Sequence, residues 1–529
     1  MHIVTASEMR EMDERTITGF GLPGRVLMEN AGRGATRVLL ERFPDITLHR
    51  VGVMAGRGNN GGDGFVIARY LAQKGVEVTV FLLSRRESLR GDAAANLLLL
   101  GPLSVPVVEI PDAAAFSEQH ALLWRQDFWV DAILGTGLQA EVRDFFKTVI
   151  HFINETGKPV LAVDIPSGLS SDTGRPCGAC IQATLTTSFA FPKIGHILHP
   201  GAGYTGHLEI IDIGIPPHIV AEVLPKQHLV TPETIASLLP RRKVDAHKGA
   251  TGHLLVVAGS PGKTGAAVMT ATSALRAGAG LVTLGIASGL DTVVASRIME
   301  VMTYLLPETQ SGVLGNVAKG AILEVLAGKK CLAIGPGLGT LPDTKALVQA
   351  LLPDVTVPLV IDADGLNCIA DSPHILLAAK APVVITPHPG EMARLAGITP
   401  QEVQADRIGC ARDFAGRFNA HVVLKGAATL IACPDGQIYI NPTGNPGMAS
   451  GGMGDVLTGI IAGLITQGVS PLSAAVAGTY LHGAAADQLA RTKGPFGFLA
   501  GELMDFIPNE IGKILSFHPS NRDGTAAVP

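Results

Sequence analysis

A chain of 529 residues is longer than the ~250 to 300 that one hydrophobic core sustains, so two α/β-sized domains are expected. A net charge of −5, from 41 basic and 46 acidic residues with no long basic run, argues against nucleic acid as the main partner, because phosphate neutralisation needs clustered Lys and Arg. No stretch approaches the ~18 to 20 uncharged apolar residues of a membrane span and no signal-peptide pattern opens the chain, so a cytoplasmic protein is expected. The six cysteines are mostly scattered, which speaks against a disulfide scaffold; Cys177 and Cys180 form one isolated CxxC, read as coincidence.

Thr5 and Glu8 stand at capping-box spacing before Met9 and Met12, which predicts an amphipathic first helix over residues 5–15. Pro23 and Gly24 precede a second helix over 26–40. Residues 51–55 form a short apolar strand that runs into Gly56-Arg-Gly-Asn-Asn-Gly-Gly-Asp-Gly64, and a helix is predicted from Phe65 to Gln73. This strand, glycine loop and helix satisfy GxGxxG at Gly56, Gly58 and Gly61, and the strand over 76–83 completes a βαβ unit. Ser84, Arg85 and Arg86 stand where a ribose-binding acid is expected, so an ordinary NAD dehydrogenase fits poorly. Two further strands end in polar groups: residues 129–134, with Asp131 and the loop Gly135 to Leu138, and residues 160–165, with Asp164 and Ser167. In an open parallel sheet ligands sit outside the carboxyl ends of strands, so these loops are expected to line one crevice.

Pro216, Pro217, Pro225, Pro232 and Pro240 punctuate a stretch of little periodicity, read as the domain junction. A second α/β series follows. Gly262-Lys263-Thr264 invites a Walker A reading, which fails because its first glycine would fall on Val257. Strands over 331–334, 359–361, 383–385 and 422–424 feed GPGLG, Asp362-Ala-Asp-Gly365, Thr386-Pro-His-Pro-Gly-Glu391 and Lys425-Gly-Ala-Ala-Thr429. A strand over 437–440 precedes Asn445-Pro-Gly-Met-Ala-Ser-Gly-Gly-Met-Gly-Asp455, which opens the apolar helical pattern of 456–465. Glycines followed by a helix N-terminus make a phosphate cradle. A carboxylate such as Asp455 in that position suits a proton acceptor for a hydroxyl attacking phosphorus, or a metal ligand; the plainer alternative is a helix cap. The residues after about 517 are small and polar, and a disordered tail over 518–529 is expected.

These motifs, in this order, resemble the bifunctional NAD(P)H-hydrate repair family, in which an epimerase domain is fused to an ADP-dependent dehydratase domain. GNNGGDG (58–64), DAILGTGL (131–138) and VDIPSGL (163–169) carry the likeness in the first half. HKGATG (247–252), GPGLG, TPHPGE, LKGAAT and NPGMASGGMGD carry it in the second. The resemblance implies a Rossmann-like three-layer α/β/α domain over 1–222 and a ribokinase-like α/β domain over 223–517. It places Asn59, Asn60, Gly61, Gly62, Asp63, Gly135, Thr136, Gly137, Leu138, Gln139, Ala140, Glu141 and Asp164 on the hydrated dinucleotide, with Asp164 catalytic. It gives Asn60, Asp131 and Ser167 a potassium ion. In the second domain Ala266, Gly337, His388 and Asp455 would face the hydrate, with Asp455 catalytic. Lys425, Gly426, Ala427, Ala428 and Thr429 would hold ADP with its Mg2+, together with Asn445, Pro446, Gly447, Met448, Ala449, Ser450, Gly451, Gly452, Met453 and Gly454. Ser450 replaces the threonine common in the family's ATGGMGD run and keeps a hydroxyl. Hydrated NAD(P)H and ADP are the expected ligands, and a homo-oligomer of tetramer size or larger is expected. Two rival readings stand beside this one: a small-molecule kinase in the second domain, and a nucleotide-binding sensor without turnover.

Overall fold

The computed structural model describes residues 1–138 and 140–517; Gln139 and the tail read as disordered lie outside the described residues. The chain divides into two units, His2–Lys226 and Gln227 onward.

In the first unit seven parallel strands form one sheet: β1 (Arg50–Ala55), β2 (Glu77–Leu82), β3 (Val107–Glu109), β4 (Phe128–Ala132), β5 (Val160–Val163), β6 (Leu185–Phe189) and β7 (His207–Ile211), in the order β3-β2-β1-β4-β5-β6-β7. Both faces are covered, so the strands read as apolar runs with their side chains dealt alternately to two cores. Val51, Val53 and Ala55 enter the core beneath Gly24–Arg42 and Asn59–Gln73, while Met54 enters the opposite one with Trp129 and Ile150. The order reverses between β1 and β4, and there the carboxyl ends of the strands open a crevice for a ligand.

The predicted capping box is present: the Thr5 side chain accepts from the Glu8 N–H at 3.1 Å, and the Glu8 carboxylate accepts from the Thr5 N–H at 2.8 Å, opening the helix Ala6–Glu14. The helix predicted from Phe65 instead starts at Asn59. Its glycines serve close packing: a Cβ on Gly61 would lie 1.9 Å from the Gly56 carbonyl oxygen, so the helix can sit flush on the end of β1 only with glycine there.

The second unit holds β8 (Gln227–Leu229), β9 (His253–Val257), β10 (Leu281–Ala287), β11 (Met302–Leu306), β12 (Cys331–Ile334), β13 (Leu359–Ile361), β14 (Val383–Ile385), β15 (His421–Leu424), β16 (Leu430–Ala432) and β17 (Ile438–Ile440), ordered β8-β17-β16-β15-β14-β13-β12-β9-β10-β11. Among the pairs of these ten strands, those made by β16 are antiparallel and the others parallel. The segment read as irregular from its prolines carries two short helices, Pro217–Val223 and Pro232–Leu238, each with proline in its first turn, where the missing N–H costs nothing.

Candidate functional site

In the first unit the carboxyl ends of β1, β2, β4, β5 and β6 surround a cleft of about 1230 Å³. Asn59, Asn60, Asp63, Gly135, Thr136, Gly137, Leu138, Ala140 and Asp164 line it, as the sequence reading expected. Gly61 and Gly62 do not: a Cβ on Gly62 would meet Met28 at 2.7 Å, so these glycines face packing rather than the cleft. Glu141 also falls outside the lining and pairs with Arg143 at 2.9 Å.

Asp164 has φ +64°, a left-handed conformation that a non-glycine residue adopts at a cost, and such strain concentrates at working sites. One of its oxygens, Oδ1, accepts from the Phe189 N–H at 3.2 Å and from the Lys193 ammonium. Lys193, fully buried, spends its remaining donors on Ser188 Oγ at 3.0 Å and the Phe189 carbonyl at 3.1 Å. Asp13 and Asp63 line the same wall and make no hydrogen bond through their carboxyls among the described residues. Burial, with the charge of Asp164 adding to it, pushes Asp63 well above the carboxylate range; burial also pushes Asp13 up to about 6. Neither Asp13 nor Lys193 carried a role in the sequence reading.

The three residues assigned to an ion are linked by a chain of contacts. Ser167 donates through Oγ to Asp131 Oδ1 at 2.6 Å and through its N–H to Oδ2 at 2.8 Å. The Leu134 N–H donates to Ser167 Oγ at 2.9 Å, and a Cβ on the next residue, Gly135, would lie 3.6 Å from Asn60 Oδ1. Among the described residues both polar atoms of the Asn60 amide are buried without a partner, and Asp131 is fully buried, its carboxyl pushed up to about 6 by that burial. An orphaned amide oxygen and a buried carboxylate are oxygen donors of the kind a hard cation takes, which is compatible with potassium.

In the second unit the glycine stretch ends in the helix Met453–Thr466, with Asp455 in its first turn. A Cβ on Gly454 would lie 3.2 Å from Lys425 Nζ and 3.6 Å from Asp362 Oδ2. Lys425 donates to Asp362 Oδ1 at 2.8 Å and lies 3.8 Å from Glu391 Oε2, while Thr458 donates to Asp362 Oδ2 at 2.7 Å. Burial first, and then the negative charge of Asp362, push the Asp455 carboxyl up to about 7. Ala266 and Gly337 meet here: a Cβ on Gly337 would lie 3.0 Å from Ala266 Cβ. His388 caps the helix Pro389–Ala396, its Nδ1 accepting from the Gly390 N–H at 3.0 Å, and that helix delivers Glu391 to Lys425. Asn445 Oδ1 accepts from the Gly447 N–H at 3.0 Å, and its amide donates to Asp487 at 2.9 Å, which fixes the start of the cradle. The buried Arg407 ties down the loop of Lys425–Thr429 by donating to the carbonyls of Ala427 at 2.5 Å and Leu424 at 3.2 Å.

The sequence reading left Asp362, Asp364, Glu391 and Arg407 without roles. Asp364 accepts from Lys263 at 2.8 Å and from the Gly339 N–H at 2.9 Å, joining three strand ends into one acidic and basic cluster. The position of Asp362, Asp364 and Glu391 in the segments that strands feed was the available signal. Arg407, inside a helix, offered none.

Residues 254–509 match the family model described as NAD(P)H-hydrate dehydratase, and residues 24–195 match the one described as YjeF-related protein N-terminus. The bifunctional NAD(P)H-hydrate repair enzyme of Moorella thermoacetica is 48% identical over 509 residues, covering 96% of each chain. That of Thermofilum pendens is 38% identical over 517 residues, covering 97% of this chain and 96% of its own. Among solved structures, the ADP/ATP-dependent NAD(P)H-hydrate dehydratase of Bacillus subtilis, co-crystallised with ATP and Mg2+, matches at 30% identity and a TM-score of 0.48, covering 54% of this chain and 98% of that one. With two such domain matches and full-length relatives at these identities, the chain belongs to the bifunctional NAD(P)H-hydrate repair enzyme family.

Proposed function

We propose that the two units share the repair of nicotinamide cofactors hydrated at C6. The first interconverts the R and S epimers of NAD(P)HX. The second dehydrates the S epimer at the expense of ADP, releasing AMP and phosphate. The observation that carries the dehydratase reading is Asp455, a carboxyl with a proton affinity near neutrality at the end of a glycine cradle and beside the Lys425–Asp362 pair.

Hydroxide is a poor leaving group, and phosphorylation makes it a good one. Asp455 takes the proton of the C6 hydroxyl as that oxygen attacks the β-phosphorus of ADP and AMP departs. The backbone N–H groups of Asn445 to Gly454 and the loop of Lys425 to Thr429 hold the nucleotide and bear the charge on the transferred group. Phosphate then leaves C6 with its bonding electrons, pushed by the lone pair of the ring nitrogen. Loss of a C5 proton to the departing phosphate restores the C5–C6 double bond. Mg2+ would enter on the ADP and screen its phosphates. Among the described residues no group of three or more His, Cys, Asp or Glu forms a cage for it, which suits an ion held chiefly through nucleotide oxygens.

For epimerisation, Asp164 and Asp63 share the cleft. A carboxyl that accepts from the Lys193 ammonium and from a backbone N–H is oriented as an acceptor, which fits it to stabilise a cation formed beside it. Asp63, buried and pushed well up, is the better donor. It protonates the C6 hydroxyl, water leaves as the nitrogen lone pair forms the N1–C6 double bond, and the resulting carboxylate takes a proton from water returning to the other face. Asn60, Asp131 and Ser167 would hold potassium, which supplies a fixed positive charge under the loop of Leu134 to Leu138. A homo-oligomeric assembly and a cytoplasmic location belong to the same proposal; among the described residues no helix is long and apolar enough to cross a membrane.

Incubating purified protein with hydrated NADH and ADP tests the reading directly. NADH absorbance should recover, with AMP and inorganic phosphate appearing in equal amounts. The glycine cradle with its terminal Asp455 also suits a kinase, and accumulation of a stable phosphoester without NADH recovery would decide for that instead.

A further inference from the structure

In a doubly wound sheet the end of β2 faces the adenosine half of a dinucleotide. An acidic side chain there takes the ribose 2′-hydroxyl of NAD, and an arginine accommodates the 2′-phosphate of NADP. Here β2 runs into Leu83-Ser84-Arg85-Arg86, with no acid in the turn before Glu87. Ser84, Arg85 and Ser88 line the same cleft as Asp63 and Asp164.

The arginines around this turn are not equivalent. Arg86 donates to the Val107 carbonyl at 3.0 Å and pairs with Glu109 at 3.2 Å. Arg90 donates to the Leu89 carbonyl at 2.7 Å and to that of Glu87. The Arg85 guanidinium makes no hydrogen bond or ion pair among the described residues, and its side chain is exposed at the cleft. Its backbone is nevertheless fixed, because the Arg85 carbonyl accepts from the Ser88 N–H at 3.0 Å and from Ser88 Oγ at 2.6 Å. The cleft therefore presents a free, five-donor cation on a rigid turn.

The orientation of the ligand follows from the rest of the cleft. The reacting ring belongs beside Asp164 and Lys193, at the ends of β5 and β6. The pyrophosphate belongs at the amino end of the helix Asn59–Gln73, at the switch point. The adenosine half then lies over the opposite branch of the sheet, where Arg85 stands. Asp92 also lines the cleft on this side, but Arg25 stands 3.7 Å from it and offsets its charge.

We propose that Arg85 grips the 2′-phosphate of the phosphorylated cofactor, so that the epimerase cleft selects hydrated NADPH over hydrated NADH. This rests on the epimerase reading of the first unit. It extends that reading to the phosphorylation state of the substrate, which neither the motifs nor the relatives' names specify.

The test compares kcat/KM for epimerisation of hydrated NADPH and hydrated NADH by the full-length protein and by Arg85→Ala and Arg85→Lys. The wild type should favour the phosphorylated substrate at least tenfold. Arg85→Ala should lower kcat/KM for it by roughly 10- to 100-fold, mainly through KM, and by far less for hydrated NADH. Arg85→Lys should fall between, keeping the charge and losing the bidentate fork. Equal losses on both substrates, or a wild-type ratio near one that Arg85→Ala leaves alone, would overturn the proposal. Calorimetric titration with NADP+ and NAD+ separates this from failure of the epimerase reading. A protein that epimerises neither substrate, yet binds NADP+ more tightly than NAD+ by a margin that Arg85→Ala removes, loses the epimerase and keeps the phosphate site. No margin in binding overturns the phosphate site itself.

Discussion

A group that must take a proton from an alcohol works best when its own proton affinity lies near the ambient pH, and the surroundings of Asp455 put it there. Burial and the Asp362 carboxylate raise its pKa to about 7. Replacing it by Asn should cut the dehydration rate on the order of 100-fold or more while ADP still binds, since the cradle is backbone. In the wild type the rate should fall below about pH 7, where the base becomes protonated. The same shift has a cost in stability. The folded state holds this proton more tightly than the unfolded chain does, so the contribution is favourable below pH 4 or so and lost as pH rises to about 7. Asp455→Asn should therefore melt a few degrees above the wild type at pH 8 and level with it at pH 4; a lower melting point at pH 8 would contradict the account. Asp131 follows the same sign in the first unit, where burial raises it to about 6. A bound cation favours its charged form, so potassium should raise the melting temperature at pH 8 relative to tetramethylammonium at equal ionic strength, and not at pH 5. Asp131→Ala should abolish that difference along with epimerisation. Identical melting in the two salts at pH 8 would leave the three oxygens as scaffold. Asn60, Asp131 and Ser167 were singled out through the strand-end motifs that carry the family resemblance. Lys193, 29 residues from Asp164, was not, since only the placement of β6 beside β5 brings the two together.

Elements position these groups through close approach, and the helix Met453–Thr466 is the clearest case. It crosses Thr264–Arg276 so tightly that a Cβ on Gly459 would lie 2.0 Å from Ser273 Oγ and 2.1 Å from the Thr270 carbonyl oxygen. Thr270 also donates to the Asp455 carbonyl oxygen at 3.1 Å, tying the turn that bears Asp455 to the same neighbour. Gly459→Ala should push the helix off its partner and cost about 1 to 3 kcal/mol or more, as overpacking does. The readouts are a lower melting temperature and a raised KM for ADP, with epimerase activity retained because it resides in the other unit. An unchanged KM and melting point would mean that the two helices can separate freely. From the sequence, the apolar run of 456–465 and its glycine-rich approach were readable as a helix after a cradle. The close crossing was not, because Gly459 and Gly463 look the same in a chain as any small residues. The same limit explains why the helix at Asn59 was expected to begin six residues later. Glycine and asparagine are poor helix formers, and packing against Gly56, Met28 and Ala132 overrides that propensity.

At the scale of the whole molecule, strand ends carried most of what could be read, because a parallel sheet gathers its ligands there whatever the sequence between. Strands such as β6, β7, β10 and β11 carry nothing at their ends that stands out chemically, and the two short helices at the junction were hidden because prolines that start short helices resemble prolines that break them. Each unit has its own central sheet, its own glycine loops and its own carboxylates at strand ends. Each unit is also of a size that sustains an independent core. The chemistry divides along the same line, since epimerisation needs only water and a proton, whereas dehydration needs the nucleotide. Residues 1–226 expressed alone should therefore fold and interconvert the two C6 epimers without ADP, at a rate within a few-fold of the full-length protein. Chiral separation of a single-epimer sample over time measures this against the spontaneous rate. The full-length Asp455→Asn protein should behave identically, because it removes only the second activity. A fragment that is folded by circular dichroism but leaves the sample at its spontaneous rate, beside a full-length protein that epimerises it, would show that the second unit completes the epimerase site and that the division of labour drawn from the two sheets is wrong.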